Sequence, residues 1–382
     1  MDFSLTEDQR AIQDAARAFA DAELAPHSAE WDETKHFPVD VMRQAAEMGF
    51  CGIYTGEEHG GMALGRVEAA VIFEELSRGD VSTAAFISIH NMATWMIDTY
   101  GSDELRGRFV PSLVTMEKIA SYCLTEPGSG SDAAALRTTA RLDGDHYVLN
   151  GSKAFISGAG TSDVYVVMAR TGEDGPKGVS TFVVEKDAPG LSFGAQEKKM
   201  GWNSQPTAIV SFDDCRLPAA NLLGKERDGF RYAMSGLDGG RLNIAACSLG
   251  GARLALETAQ EYVKTRKQFG RLIGSFQLVQ KHIVDMTVRV EAARALGLRA
   301  AWALQNGQDV RQACSIAKLY ATESAHEVAS MALQVHGGLG YSEDYPIERI
   351  FRDTRGGMIP EGTTEIQTLI IGREILGLNA IA

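Results

Sequence analysis

The sequence predicts an α+β chain, mainly helical, in three parts: an N-terminal helical domain over 1–118, a middle antiparallel β barrel or sandwich domain over 119–228, and a C-terminal helical domain over 229–382. Two observations carry this division. The hydrophobic period is helical to about residue 118, alternates as in strands to about 228, and then becomes helical again. The strands of the middle part follow one another without intervening helices, which predicts antiparallel pairing. A length of 382 residues agrees with two or three folding units at roughly 150 residues each.

The first helix is signalled by Thr6 and Gln9, a capping box, with Ile12, Ala15, Ala16 and Phe19 following at helical spacing. The fold is expected to begin within five residues of Met1, with no basic or apolar leader before it. A cytoplasmic location is therefore expected, with a mature organellar (mitochondrial matrix) form as the alternative. Connections fall at Pro38, Gly60-Gly61 and Gly101. In the middle part, residues 147–149 run into Asn150-Gly151, read as a hairpin turn, and residues 153–156 return. Residues 164–168, 181–184 and 208–212 read as further strands. In the last part Ile283, Met286, Val290, Ala293, Leu296 and Leu304 form one helical stripe, and Asp285 with Arg289 an i,i+4 pair on the opposite face. Ile316, Tyr320, Val328, Met331 and Val335 trace a second stripe.

With 45% hydrophobic and 23% charged residues the chain can bury a sizeable core. No apolar run approaches the length of about 18 that a membrane span requires. Five scattered cysteines without a C-x-x-C pair point to reduced thiols. The net charge of −13 is uneven: −12 over residues 1–118, −3 over 119–228 and +2 over 229–382. Such acidity argues against nucleic acid as a partner, because that binding depends on neutralising phosphates. There is no H-E-x-x-H, no zinc-spaced Cys/His cluster, no Walker loop and no G-x-S-x-G elbow, so no metal site is expected.

Three segments have the composition of a site. Gly128-Ser129-Gly130-Ser131-Asp132-Ala133 follows a strand-like run and matches the loose dinucleotide pattern, but the strands after it argue against a Rossmann unit. It reads either as a plain turn or as a loop whose N–H groups cradle phosphate. Glu361 follows the apolar Met358-Ile359-Pro360 and precedes a helix start marked by Thr364 and Gln367, a second capping box. It is either a helix-start acid or, if desolvated, a carboxylate with the raised pKa of a general base. The basic cluster Arg266-Lys267-Gln268-Phe269-Gly270-Arg271 ends one helix and Gln277 opens the next. Arg241, after Asp238-Gly239-Gly240, has the setting of an ordinary surface residue, and Gln334-Val335-His336-Gly337-Gly338 that of a C-cap.

Taken in order, these segments resemble the acyl-CoA dehydrogenase family along essentially the whole chain. The resemblance rests on Tyr122-Cys123-Leu124-Thr125-Glu126-Pro127-Gly128-Ser129-Gly130-Ser131-Asp132, Phe155-Ile156-Ser157, Arg266-Lys267-Gln268-Phe269-Gly270, Gln334 to Gly338 and Glu361-Gly362-Thr363. His90-Asn91-Met92, Gly201-Trp202-Asn203-Ser204-Gln205-Pro206-Thr207 and Asn243-Ile244-Ala245-Ala246-Cys247 are most similar to the family's short branched-chain branch, acting on isobutyryl-CoA.

The resemblance implies a C-terminal four-helix bundle and FAD as cofactor. Tyr122, Leu124, Thr125, Gly130, Ser131, Phe155, Ile156 and Ser157 would line it. Arg266, Gln268, Phe276, Gln277, Gln334, Val335, Gly337 and Gly338 would reach the FAD of a neighbouring subunit in a homotetramer. Thr363, Thr364 and Glu365 would meet the cofactor at a helix start. Ser131, Asp238, Arg241 and Gly362 would contact the acyl-CoA substrate, and Glu361 would be the catalytic base. The implied reaction is α-proton abstraction by Glu361 with β-hydride transfer to flavin. An electron-transferring flavoprotein is the implied acceptor. Phe155 and Ser157 replace the tryptophan and threonine of many members, keeping an aromatic face and a hydroxyl. Glu361-Gly362-Thr363-Thr364-Glu365-Ile366-Gln367 departs from the usual wording of the isobutyryl branch, which leaves 2-methylbutyryl- and butyryl-CoA as alternative substrates.

Overall fold

The structure, a computed structural model, describes residues 4–380, so Met1 lies outside the described residues. The N-terminal part is helical: α1 (Glu7–Phe19), α2 (Ser28–Thr34), α3 (Val39–Glu47), α4 (Arg66–Gly79), α5 (Val81–Tyr100) and α6 (Asp103–Val114). The Thr6 capping box forms in both directions, Gln9 N donating to Thr6 Oγ1 at 3.2 Å and Thr6 N to Gln9 Oε1 at 3.0 Å. Helix α5 is buried almost all round and starts at Asp80, whose carboxylate accepts from Thr83 N at 2.8 Å. The Glu75 carboxylate of α4 is clamped by Arg17 of α1 and by Arg253 of the C-terminal part, which fixes the two helical layers to each other.

The middle part holds β1 (Ala120–Cys123), β2 (Thr139–Asp143), β3 (His146–Ser157), β4 (Val164–Arg170), β5 (Val179–Glu185), β6 (Leu191–Phe193), β7 (Thr207–Pro218) and β8 (Leu222–Leu223). The sheet order is β6-β7-β3-β2-β4-β5-β8, with β1 beside β4. It is mixed, where the sequence predicts antiparallel: β4 runs parallel to β1 and to β2. Alternate residues of β4 explain its depth. Val164, Val166 and Met168 pack on α5 and α6, and Tyr165, Val167 and Ala169 on residues of β3, β5 and β7.

Asn150-Gly151 is not a hairpin turn. It lies inside the twelve-residue β3, at a shift of register against β7, and the reversal occurs one strand end earlier, around Gly144 at φ +65°. Gly151 is needed because the backbone of Thr138 passes so close that a Cβ would sit 2.7 Å from its Cα. Asn150 is spent on Asp214 across the bulge, with Nδ2 donating at 3.0 Å.

The C-terminal part comprises α7 (Gly229–Thr265), α8 (Gln277–Gln305), α9 (Arg311–His336), α10 (Gly338–Tyr341), α11 (Ile347–Gly357) and α12 (Thr364–Leu376), with a small hairpin, β9 (Lys267–Gln268) and β10 (Arg271–Leu272), between α7 and α8. Helices α7, α8 and α9 pack on one another through an alanine-rich seam. Helices α11 and α12, joined by the turn that carries Glu361, both pack on α9, and α11 also on α7. The expected Asp285–Arg289 pair does not form. Asp285 takes Lys281 and Arg289 reaches Glu327 of α9, where a cross-helix partner lies nearer. Among the described residues no helix is long and apolar enough to cross a membrane. All five cysteines are buried and unpaired.

Candidate active site

The turn between α11 and α12 holds two consecutive residues in left-handed backbone, Glu361 at φ +57° and Gly362 at φ +91°. Turning the chain this way leaves two carbonyls pointing inward, and three side chains satisfy them. Gln367 Nε2 donates to Glu361 O at 3.0 Å and to Gly362 O at 2.9 Å, Arg241 Nε to Glu361 O at 3.3 Å, and Lys318 Nζ to Gly362 O at 2.8 Å. The expected Thr364–Gln367 capping box is therefore absent. Gln367 is drawn back to the turn, and the cap is Thr363, one residue earlier, accepting from Ile366 N. Thr364 Oγ1 is sealed and has no partner.

The Glu361 side chain leans on α7 at Gly240, where a Cβ would lie 2.0 Å from Oε2. Glu361 as a residue keeps some exposed surface, but Oε2 is covered and accepts no hydrogen bond. Burial pushes its pKa up to about 8, with the charges of Arg241 and Lys318 pulling the other way. Burial likewise brings Lys318 down to about 8, opposed by Glu361. Two phenols share the environment, Tyr54 and Tyr122, both raised by burial and by the Glu361 charge. The Tyr54 hydroxyl accepts from Asn243 Nδ2 at 3.0 Å, and the Arg66 guanidinium lies 3.6 Å from the centre of its ring. A carboxylate with an unsatisfied oxygen and a pKa near 8 can accept a proton from a weak carbon acid.

Arg241 is not a surface residue. It is 6% exposed, and its Nη1 pairs with Asp238 Oδ1 at 2.6 Å. Both of its resolved bonds hold neighbouring protein groups, so its first task is to fix the turn.

The glycine loop is clamped from beneath by a buried ion pair. Lys153 Nζ lies 2.7 Å from Glu126 Oε1 and donates to Leu124 O at 3.1 Å. The same carboxylate accepts from Arg137 N at 2.6 Å and Thr138 N at 2.9 Å. Burial would raise the Glu126 carboxyl, and the Lys153 charge together with the hydrogen bonds from Lys153, Thr138 and Arg137 holds it below its ordinary value. Thr125 O accepts from Ala154 N at 2.8 Å, tying the loop to β3. No neighbour stands within 4 Å of where a Cβ on Gly128 or Gly130 would be. Beside the loop, Phe155 exposes 68% of its surface in a left-handed backbone at φ +56°. An aromatic ring held outward at a strained position is a platform rather than a core residue.

These features fit a flavin dinucleotide. Open glycines give backbone access for a pyrophosphate, Phe155 offers a ring face, and the orphaned Thr364 hydroxyl stands at the start of α12. Tyr122, Leu124, Thr125, Gly130, Ser131, Phe155, Ile156 and Ser157 are gathered by β1, β3 and the loop between them. Tyr122, through its hydroxyl to Ala233 O at 3.4 Å, joins that group to α7 near Glu361.

Arg266, Gln268, Phe276, Gln277, Gln334, Val335, Gly337 and Gly338 form a separate group at the far end of α7. Phe276 and Val335 pack on one small cluster with Tyr262, and the hairpin tip Phe269 is 93% exposed. Gly240 and Thr265 are 25 residues apart on α7, which at 1.5 Å per residue is about 38 Å. One chain does not bring the two groups together.

Sequence reasoning missed Lys318, Gln367, Tyr54 and Asn243. A usable signal existed for Lys318: it lies between Cys314 and Ala321 on the buried face of α9, a poor place for an unpaired ammonium.

Three family models match the chain in succession: acyl-CoA dehydrogenase N-terminal domain over residues 6–117, middle domain over 121–215 and C-terminal domain over 227–376. The mitochondrial isobutyryl-CoA dehydrogenase of Dictyostelium discoideum is 54% identical over 97% of this chain and 90% of its own length. The protein of the same name from Bos taurus is 52% identical over the same shares. A solved structure of PigA with FAD and proline superposes with a TM-score of 0.96 at 32% identity, covering 98% of this chain and 99% of that one. The chain belongs to the acyl-CoA dehydrogenase family, FAD-dependent enzymes that oxidise a CH–CH bond.

Proposed function

We propose that this acyl-CoA dehydrogenase acts on a short branched acyl-CoA, isobutyryl-CoA, giving methacrylyl-CoA as in valine breakdown, with Glu361 as the catalytic base. The observation that carries the reading is the Glu361 carboxylate, with one oxygen sealed and unpartnered against Gly240 and its pKa pushed up to about 8. The hydrogen α to a thioester is weakly acidic, so its removal needs a positioned base and relief of charge on the enolate oxygen. Glu361 takes that proton at its carboxylate, while its own backbone N–H, set by the left-handed turn, supports the oxygen. Asp238, half-buried, and the exposed Ser131 would meet the CoA arm, with Gly362 beside the base and Arg241 holding the turn.

The first glycine-loop group, with Thr363, Thr364 and Glu365, holds FAD. The group at the end of α7, about 38 Å along the helix, serves a neighbouring subunit of a homotetramer. FAD, when bound, would supply the acceptor for the β-hydrogen, which leaves as hydride. An electron-transferring flavoprotein is the acceptor, and the location is the cytoplasm or, as for the mitochondrial relatives, the matrix.

A panel of acyl-CoAs with an artificial electron acceptor tests the substrate. Highest kcat/KM for isobutyryl-CoA supports the reading; a clear preference for butyryl- or 2-methylbutyryl-CoA moves the enzyme to that substrate, since one methylene is worth only about 1–3 kcal/mol. Failure of every acyl-CoA to bleach the flavin anaerobically would leave a flavin-binding protein that does not oxidise thioesters.

A further inference from the structure

Lys318 is a buried cation with one bond to account for three donors. Its Nζ donates to Gly362 O at 2.8 Å, and the residue has no exposed surface. It belongs to α9, whose other inward residues here are Cys314, Ser315, Ala317, Ala321 and Thr322, none of them charged. An ammonium in such surroundings costs several kcal/mol unless a nearby anion offsets it. The anion at hand is Glu361, one residue before the carbonyl that Lys318 holds, with its Oε2 sealed and unpartnered.

We infer that Lys318 is a positioning residue for the α-proton abstraction: it locks the turn that aims Glu361, and its positive charge favours the ionised form of this carboxylate. The inference rests on Glu361 being the base. Charged and titratable groups face the pair from every packed element. Arg241 and Asp238 come from α7, with the neutral Cys247 thiol behind them; Cys314 and Glu323 from α9; Arg66 from α4, over the Tyr54 ring; Tyr54 from the segment after α3; Tyr122 from β1; and Glu365 from α12. Of these, only Arg241 and Lys318 lower the Glu361 pKa, and Arg241 is already matched by Asp238. Lys318 is thus the cation left to balance the base. Its own pKa near 8 makes the two groups share protons over the same pH range.

The test is the pH profile of kcat/KM for the FAD-loaded enzyme with Lys318→Met and Lys318→Arg, alongside Glu361→Gln. Loss of the cation raises the Glu361 pKa, so Lys318→Met moves the acidic limb upward by about one unit. Turnover near neutrality then falls roughly tenfold and recovers as pH rises. Lys318→Arg, which keeps its charge throughout, leaves the limb at or below its wild-type place. A limb unmoved in Lys318→Met, with turnover reduced equally at every pH, would overturn the inference and leave a packing role. If Lys318→Met fails to fold, Lys318→Arg decides, since an upward shift in that variant contradicts the charge argument. Glu361→Gln keeps the two readings separate: near-normal turnover there removes the base assignment itself, whereas an inactive Glu361→Gln with an unmoved Lys318→Met limb removes only the role of Lys318.

Discussion

Gly240→Ala should inactivate the enzyme without loosening it. Built on the backbone, the new Cβ lies 2.0 Å from Glu361 Oε2, 2.5 Å from Cδ and 2.7 Å from Oε1. Ordinary contact is about 3.5 Å, so the carboxylate must withdraw by about 1.5 Å. It can do so, because the obstructing group is the end of a side chain while α7 itself need not move. A displacement near 1 Å at a reacting group is worth about a hundredfold in rate. Alanine is meanwhile favoured over glycine in a helix by about 1 kcal/mol. The expected result is therefore a purified protein with full FAD content, an unchanged or higher melting temperature, and turnover of isobutyryl-CoA lowered about a hundredfold. Gly239→Ala is the matched control. Its Cβ would meet Arg66 Nη1 at 2.6 Å and leaves the carboxylate alone, so its loss of turnover should be much smaller. Near-wild-type turnover in Gly240→Ala would refute the reasoning, since the base would then not occupy the place described.

Four further outcomes follow from the structure. Because Glu361 must be ionised to accept a proton and its pKa is pushed up to about 8, kcat/KM should fall about tenfold per unit as pH drops below that value. The folded pKa exceeds the unfolded one, so ionising Glu361 destabilises the fold as pH rises from about 4.5 to 8; Glu361→Gln should gain melting temperature relative to wild type across that interval. Lys153→Met leaves the Glu126 carboxylate buried beneath the glycine loop without its cation. Breaking a buried pair costs about 3–5 kcal/mol, so a lower denaturation midpoint and weaker FAD retention are expected, and an unchanged midpoint would contradict the clamp. Phe155→Ala removes an exposed ring from a strained backbone. The apo-protein's melting temperature should hold while FAD dissociates more readily in gel filtration.

The helix–sheet–helix division was legible because hydrophobic period depends on burial, and burial differs between a bundle face and a sheet. Local signals failed where a distant contact decided. Asn150-Gly151 has the composition of a turn, but the close approach of Thr138 and the bond to Asp214 make it a bulge. Thr364 and Gln367 have capping-box spacing, yet the unsatisfied carbonyls of Glu361 and Gly362 claim Gln367. The parallel pairing of β4 with β1 joins segments 44 residues apart, a relation no alternation pattern encodes. Within the site, Glu361 is desolvated as the sequence suggested, but by α7 at Gly240, whereas Ile359 of the apolar run before it is exposed. Arg241 was misread, because a charged residue after three small or acidic ones gives no hint that α7 is buried there on all sides. Lys318 and Asn243 reach the site by helix packing; the neighbours of Asn243 are ordinary helix residues, whereas Lys318 is marked only by its place on a buried face.

The central claim is most directly tested by an anaerobic titration of wild type and Glu361→Gln with isobutyryl-CoA, read in the flavin absorbance. Wild type should bleach on addition of substrate. Glu361→Gln should hold its FAD and bind the thioester, yet bleach at least about a hundredfold more slowly, as expected for loss of a positioned base. Bleaching of Glu361→Gln at the wild-type rate would contradict the assignment of the proton transfer to this carboxylate.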